Sequence, residues 1–167
     1  MSAAAVTPTL PRTAAGRTTL VLSLVGLAVS VYLTIEHYSA STTLACPATA
    51  AFDCAKVTTS RWSSIAGVPV AVLGLVFFVV LTGLSLLAGR RAADLRVVAA
   101  GIGALMVLWL VYVELFLVDS LCLWCTGVHV VTLALLGATV WWRETARTET
   151  VAPRNDAASR ADRAARR

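Results

Sequence analysis

Residues 121–142, LCLWCTGVHVVTLALLGATVWW, open on a CxxC pair, Cys122 and Cys125, and continue to Trp142 without an Asp, Glu, Lys or Arg. A run of this length matches the about 20 apolar residues that cross a hydrocarbon core. The pair therefore sits where an apolar span meets a membrane surface. CxxC spacing serves zinc sites and thiol oxidoreductases alike, and it also arises where an apolar helix happens to hold two cysteines. The surroundings must decide between them.

Three further stretches are apolar enough to span, at 18–38, 65–88 and 97–118. With 58% hydrophobic and 14% charged residues in 167, the composition excludes an ordinary soluble domain of this size. The expected fold is an all-α membrane protein, a bundle of four transmembrane helices with a long loop, 39–64, between the first and second. The first span follows a short leader containing Arg12 and Arg17, as a signal peptide would. Its apolar part is longer than an h-region of about 7–15 residues, so it is expected to be retained.

Basic residues near span ends are held on the cytoplasmic side. Arg12, Arg17, Arg90, Arg91, Arg96, Arg143 and Arg147 fall on one side of the expected spans, and only Lys56 and Arg61 on the other. Both termini are thus expected in the cytoplasm, and all four cysteines on the opposite face, where disulfides persist. The net charge of +5 comes largely from these flanking arginines and from the tail, so it does not point to nucleic acid. Residues 1–17 and 148–167 have little apolar periodicity and are expected to be disordered, flanking a membrane domain over 18–147.

Cys46 and Cys54 are the other two cysteines, separated by seven residues within the long loop. That stretch can extend to roughly 25 Å, so Cys54 could pair with Cys46 or with another thiol. Two clusters on one membrane face suggest two dithiol/disulfide couples. A four-cysteine zinc site normally uses two short-spaced knuckles, which the 46/54 gap does not provide. No metal is expected. Nor does the chain carry a nucleotide or flavin fingerprint.

With these residues in place, the sequence resembles the vitamin K epoxide reductase family, in its bacterial disulfide-forming branch, over about 20–142. The resemblance is carried by Cys54-Ala55-Lys56-Val57-Thr58-Thr59-Ser60-Arg61-Trp62, by Gly67-Val68-Pro69, and by Cys122-Leu123-Trp124-Cys125. The DsbB type of disulfide generator has its CxxC in the first extracytoplasmic loop and its separated pair in the second; here the order is reversed.

The resemblance implies a membrane enzyme of the plasma or inner membrane with DsbB-like function, in which a four-helix bundle surrounds a quinone, menaquinone or ubiquinone. By similarity, Cys125 lies nearest the quinone and Cys122 exchanges with Cys54. Cys46 meets a separate DsbA-like thioredoxin-fold partner. Ser60 matches a serine placed near the quinone, although a serine there could equally cap a helix. His129, four residues after Cys125, stands where the eukaryotic branch has a tyrosine that bonds the quinone; it could serve the same end or bond a neighbouring backbone. Arg61 and Trp62 are expected to anchor the loop at the interface, and Glu114, Glu36 and His37 to be solvated at headgroup level. The alternatives are reduction of a quinone epoxide on the same fold, or a non-catalytic membrane protein with structural or metal-binding cysteines.

Overall fold

The structure, a computed structural model, describes residues 13–39, 46, 49, 52–87 and 89–166, with backbone alone over 145–165. Four main helices account for most of it: α1 (Ala14–Ser39), α3 (Val70–Ser85), α4 (Arg90–Tyr112) and α5 (Leu123–Ala165). A short helix α2 (Cys54–Thr58), a 3₁₀ turn (Arg61–Ser63) and a hairpin of strands β1 (Ser64–Ile65) and β2 (Val68–Pro69) lie between α1 and α3. Helix α1 packs on α3 and α5, and α4 packs on the same two, which closes a four-helix ring.

The packing is that of a membrane protein. The buried stripe of α1 is Ala15, Gly16, Thr19, Ser23, Gly26, Ser30 and Leu33, and that of α4 includes Ala92, Ala100, Gly103 and Ala104. Small residues at three- and four-residue spacing let helix backbones approach where lipid offers no hydrophobic drive for association. A Cβ at Gly26 would collide with the ring of Phe78, and one at Gly103 with the ring of Phe77. The hydroxyls of Thr19, Ser23 and Thr132 donate to the carbonyls four residues back, so none is buried unpaired. Large apolar side chains such as Ile102, Leu105 and Leu108 point outward, each more than 60% exposed. Phe78, Leu81 and Leu135 fill the centre.

Three helical segments are long and apolar enough to cross a membrane, Ala14–Ser39, Arg90–Val118 and Leu123–Glu144, and Val70–Ser85 is a shorter apolar helix. The chain is a multi-pass membrane protein. The expected span 65–88 is thereby corrected: its first residues form the hairpin, and the helix proper has 16 residues, about 24 Å at 1.5 Å per residue. Ala66 and Gly67 both have positive φ, 50° and 80°. These are the central residues of a two-residue turn of the I′ kind, which matches strand twist. Pro69 then fixes the backbone before the first helical residue.

At the far end, the tail expected to be disordered continues α5 as helix to Ala165. Its alanines and arginines favour helix, against Pro153 within it. The leader 1–12 and most of 40–51 lie outside the described residues. Where α3 ends, Arg96 of α4 donates to the carbonyls of Leu84 at 2.7 Å and Leu87 at 3.0 Å, and its guanidinium lies 3.7 Å from the centre of the Trp142 ring. Arg143 pairs with Asp94 at 2.7 Å, fastening α5 to α4 at the same end.

Candidate functional site

All four cysteines gather at the opposite end of the bundle. Cys46 and Cys54 are joined in a disulfide with Cα atoms 6.1 Å apart, and Cys122 and Cys125 are free thiols. Bonded to each other, the loop sulfurs are not open to a metal. Cys54 is the first residue of α2, whose start is capped by Asp53: Oδ1 accepts from the Lys56 N–H at 2.9 Å.

The loop is tied to the approach to α5. Phe52 and Leu121 form a parallel bridge, and the Asp53 N–H donates to the Leu121 carbonyl at 3.0 Å. Lys56 Nζ adds a bond to the Asp119 carbonyl at 3.3 Å. The next residue on each side of the Asp53–Leu121 bond is a cysteine, Cys54 and Cys122, and both are almost fully buried, at 1% and 0% exposure. The sequence pattern placed both cysteines on one membrane face; this backbone junction brings them side by side.

Cys122 precedes α5 and acts as its cap. Its carbonyl accepts from Thr126 N at 2.8 Å, and its Sγ accepts from the Cys125 N–H at 3.3 Å. A sulfur held against a first-turn N–H at a helix N-terminus is favoured as thiolate. Cys125 lies one turn on, half-buried, and its thiol is within hydrogen-bonding reach of Cys122. Next to them, Trp124 packs on Tyr32 of α1 with ring centroids 5.0 Å apart.

The turn that delivers Cys122 is unusual. After Tyr112 the helix loosens into π-helical winding over Val113–Val118, and Asp119 then adopts a left-handed conformation. The N–H groups of Asp119 and Ser120 both donate to the Glu114 carbonyl. The expectation that Glu114 is solvated is corrected here: the residue is 4% exposed, with its carboxyl beside the Cys122 backbone N–H. The wider π winding turns it inward. No sequence signal distinguishes that winding from ordinary helix, but an acid eight residues before a CxxC is the clue that was available.

Ser60 is half-buried at the end of α2, with its hydroxyl donating to the Val57 carbonyl at 2.8 Å and making no capping bond. Engaging a ligand carbonyl would require that proton to be redirected. His129 is 6% exposed and makes no hydrogen bond among the described residues, so it does not bond a neighbouring backbone there. An apolar cavity of about 270 Å³ runs between α1 and α5, lined by Val25, Val29, Trp124, Gly127 and Val131 among others, and reaches the CxxC segment. Arg61 lies 4.6 Å from the centre of the Trp62 ring, and Trp62 in turn contacts Trp109 of α4 at 6.2 Å, which ties the loop to the bundle rim. Trp109, Tyr112 and Phe116 continue as an aromatic ladder along the outside of α4, the placement favoured at a membrane interface.

No curated protein matches the sequence. The sequence profile of the Vitamin K epoxide reductase family matches residues 17–140, which include all four cysteines and every helix of the bundle, and the chain belongs to that family.

Proposed function

We propose that the protein is a membrane thiol oxidase that forms disulfides for proteins outside the cytoplasm and passes their electrons to quinone. A separate DsbA-like thioredoxin-fold partner delivers its dithiol electrons to the Cys46–Cys54 disulfide. Cys54 then exchanges with Cys122, and the Cys122–Cys125 pair hands two electrons on. In this reading the shorter helix α3 also crosses the membrane, and the arginines that flank the spans support termini inside and both cysteine clusters on the extracytoplasmic face of the plasma or inner membrane.

The observation that carries this reading is the Asp53–Leu121 junction, which holds an oxidised pair beside a reduced one at the mouth of an apolar bundle. Two static bridges would need no such apposition. Family membership supports thiol-disulfide oxidoreduction. Quinone, menaquinone or ubiquinone, supplies the capacity to take two electrons and two protons from within the lipid. What supports such a group is that His129 is buried one turn beyond Cys125 and that an apolar α1/α5 cavity adjoins the CxxC segment at Leu123 and Trp124, although neither cysteine, His129 nor Ser60 lines it. His129 would donate to a quinone carbonyl, with Ser60 a second donor once its bond to Val57 is released.

The test is anaerobic quinone reduction by the purified protein in detergent, with a reduced thioredoxin-fold donor, comparing the intact chain with Cys125→Ala. Turnover lost in the variant is expected. Absence of turnover with every quinone tried would overturn the reading.

A further inference from the structure

The Cys122–Cys125 couple must gain and lose protons as well as electrons, and it does so in a buried place. Cys122 is fully buried, and the bundle around it offers few groups that carry a proton. The ionisable groups on the surrounding elements are Tyr32, Glu36 and His37 in the outer half of α1, Asp53 and Lys56 at α2, Arg61 in the 3₁₀ turn, Tyr112 at the end of α4, Asp119 in the turn, and Cys122, Cys125 and His129 leading into and along α5. Asp53 is occupied as a helix cap and Lys56 reaches out to the Asp119 carbonyl. Among the described residues Glu114 is the buried acid, and its carboxyl lies beside the backbone N–H of Cys122, the residue that carries the attacked sulfur.

A buried carboxyl is costly to keep in an apolar bundle without a use or a partner. Its backbone is held by two N–H donors from the turn that presents Cys122, so the carboxyl and the sulfur are fixed to the same piece of structure. We propose that Glu114 is the proton carrier of the Cys122–Cys125 couple, supplying the proton that the departing sulfur takes up when this disulfide is opened.

The step balances as follows. An incoming thiolate, Cys54 or a small dithiol, attacks Cys122 Sγ and forms a new S–S bond with its own electron pair. The Cys122–Cys125 bond breaks, and its electron pair leaves on Cys125 Sγ. Glu114, as the neutral acid, passes its proton to that sulfur and becomes carboxylate. Reversal of the step returns the proton. This inference rests on the thiol-exchange reading above, but not on the identity of the final acceptor.

The experiment is single-turnover reduction of the oxidised full-length protein by dithiothreitol in detergent, quenched with a maleimide and resolved by peptide mass, across pH. For Glu114→Gln, opening of the Cys122–Cys125 disulfide, with rates referred to the concentration of dithiothreitol thiolate, is expected to slow about a hundredfold, the lower range for a lost acid catalyst, and to lose the further pH dependence that an internal acid adds in the intact chain. Glu114→Asp, which keeps the acid, should restore most of the rate and the pH profile. In the intact chain the same step should slow in heavy water, a result that needs no variant to fold. A wild-type rate and profile in Glu114→Gln would overturn the proposal, as would equal slowing of both variants with the pH profile unchanged, or no effect of heavy water. None of these outcomes depends on quinone turnover by the intact protein, so failure here and failure of the proposed function are separable.

Discussion

Asp53 and Leu121 are joined by a 3.0 Å backbone hydrogen bond that leaves Cys54 and Cys122 as the next residues along their two segments. One of these cysteines is oxidised to Cys46 and the other is free. The bond thus holds the disulfide-bearing loop against the segment that leads into the free thiol pair.

Replacing Asp53 tests how much that aim matters. Asp53→Ala removes the side-chain cap on the Lys56 N–H and should destabilise α2 by about 1 kcal/mol, roughly a fivefold fall in the ratio of docked to undocked loop. Quinone reduction driven by a thioredoxin-fold donor should fall by up to that factor, while reduction driven by dithiothreitol acting on Cys122–Cys125 stays the same. Asp53→Asn, an equally good cap, should match the intact chain in both assays.

The cysteines should divide by role. Cys122→Ala and Cys125→Ala are expected to abolish quinone reduction with any thiol donor. Cys46→Ala should lose only the protein-driven reaction, since a small dithiol bypasses the loop. Parallel assays with both donors decide the matter, and an equal loss in all three variants would contradict the division.

The long apolar helices were legible because length and apolarity alone define a crossing segment, and the gathering of the cysteines was legible because 46 and 54 fall in the one long loop and 122 and 125 at the start of the last apolar run. What faced inward was not legible. Each span is apolar on all sides, so periodicity does not separate Phe78, at the core, from Leu105, facing out. The same uniformity hid Arg96 and Glu114. Arg96 looked like one more cytoplasmic charge and is instead 4% exposed, its cation spent on helix-end carbonyls. Glu114 looked solvated because nothing in Val113–Val118 announces π winding. The hairpin could have been suspected from Gly67 followed by Pro69, which together favour a turn over a helix interior.

That hairpin yields a stabilising prediction. Ala66 is held at φ 50°, a left-handed conformation that costs a Cβ-bearing residue about 1–2 kcal/mol. Asparagine tolerates it better, and Asn-Gly is the preferred pair for this turn. Ala66→Asn should raise the stability of the loop by up to about 1 kcal/mol, read as greater resistance to proteolysis between α2 and α3. Ala66→Val, β-branched, should do the reverse.

At the other end of the bundle, Arg96 closes α3 by donating to the carbonyls of Leu87 and of Leu84, the second of which also accepts from the Leu87 N–H, while its guanidinium lies against the Trp142 ring. Removing it with Arg96→Ala takes the charged donor from both half-buried carbonyls and forfeits the stacking, a loss of about 1–3 kcal/mol. Arg96→Lys should recover only part: both bonds come from one nitrogen, Nη1, which an ammonium can replace, but an ammonium has no planar face to lay on the Trp142 ring. Unfolding in detergent should rank the three proteins in the order Arg, Lys, Ala. The rate of maleimide labelling at Cys122 and Cys125 should stay unchanged in the folded variants, since effects at distant sites without shared partners are independent. A change in that rate would mean that the two ends of the bundle are mechanically coupled.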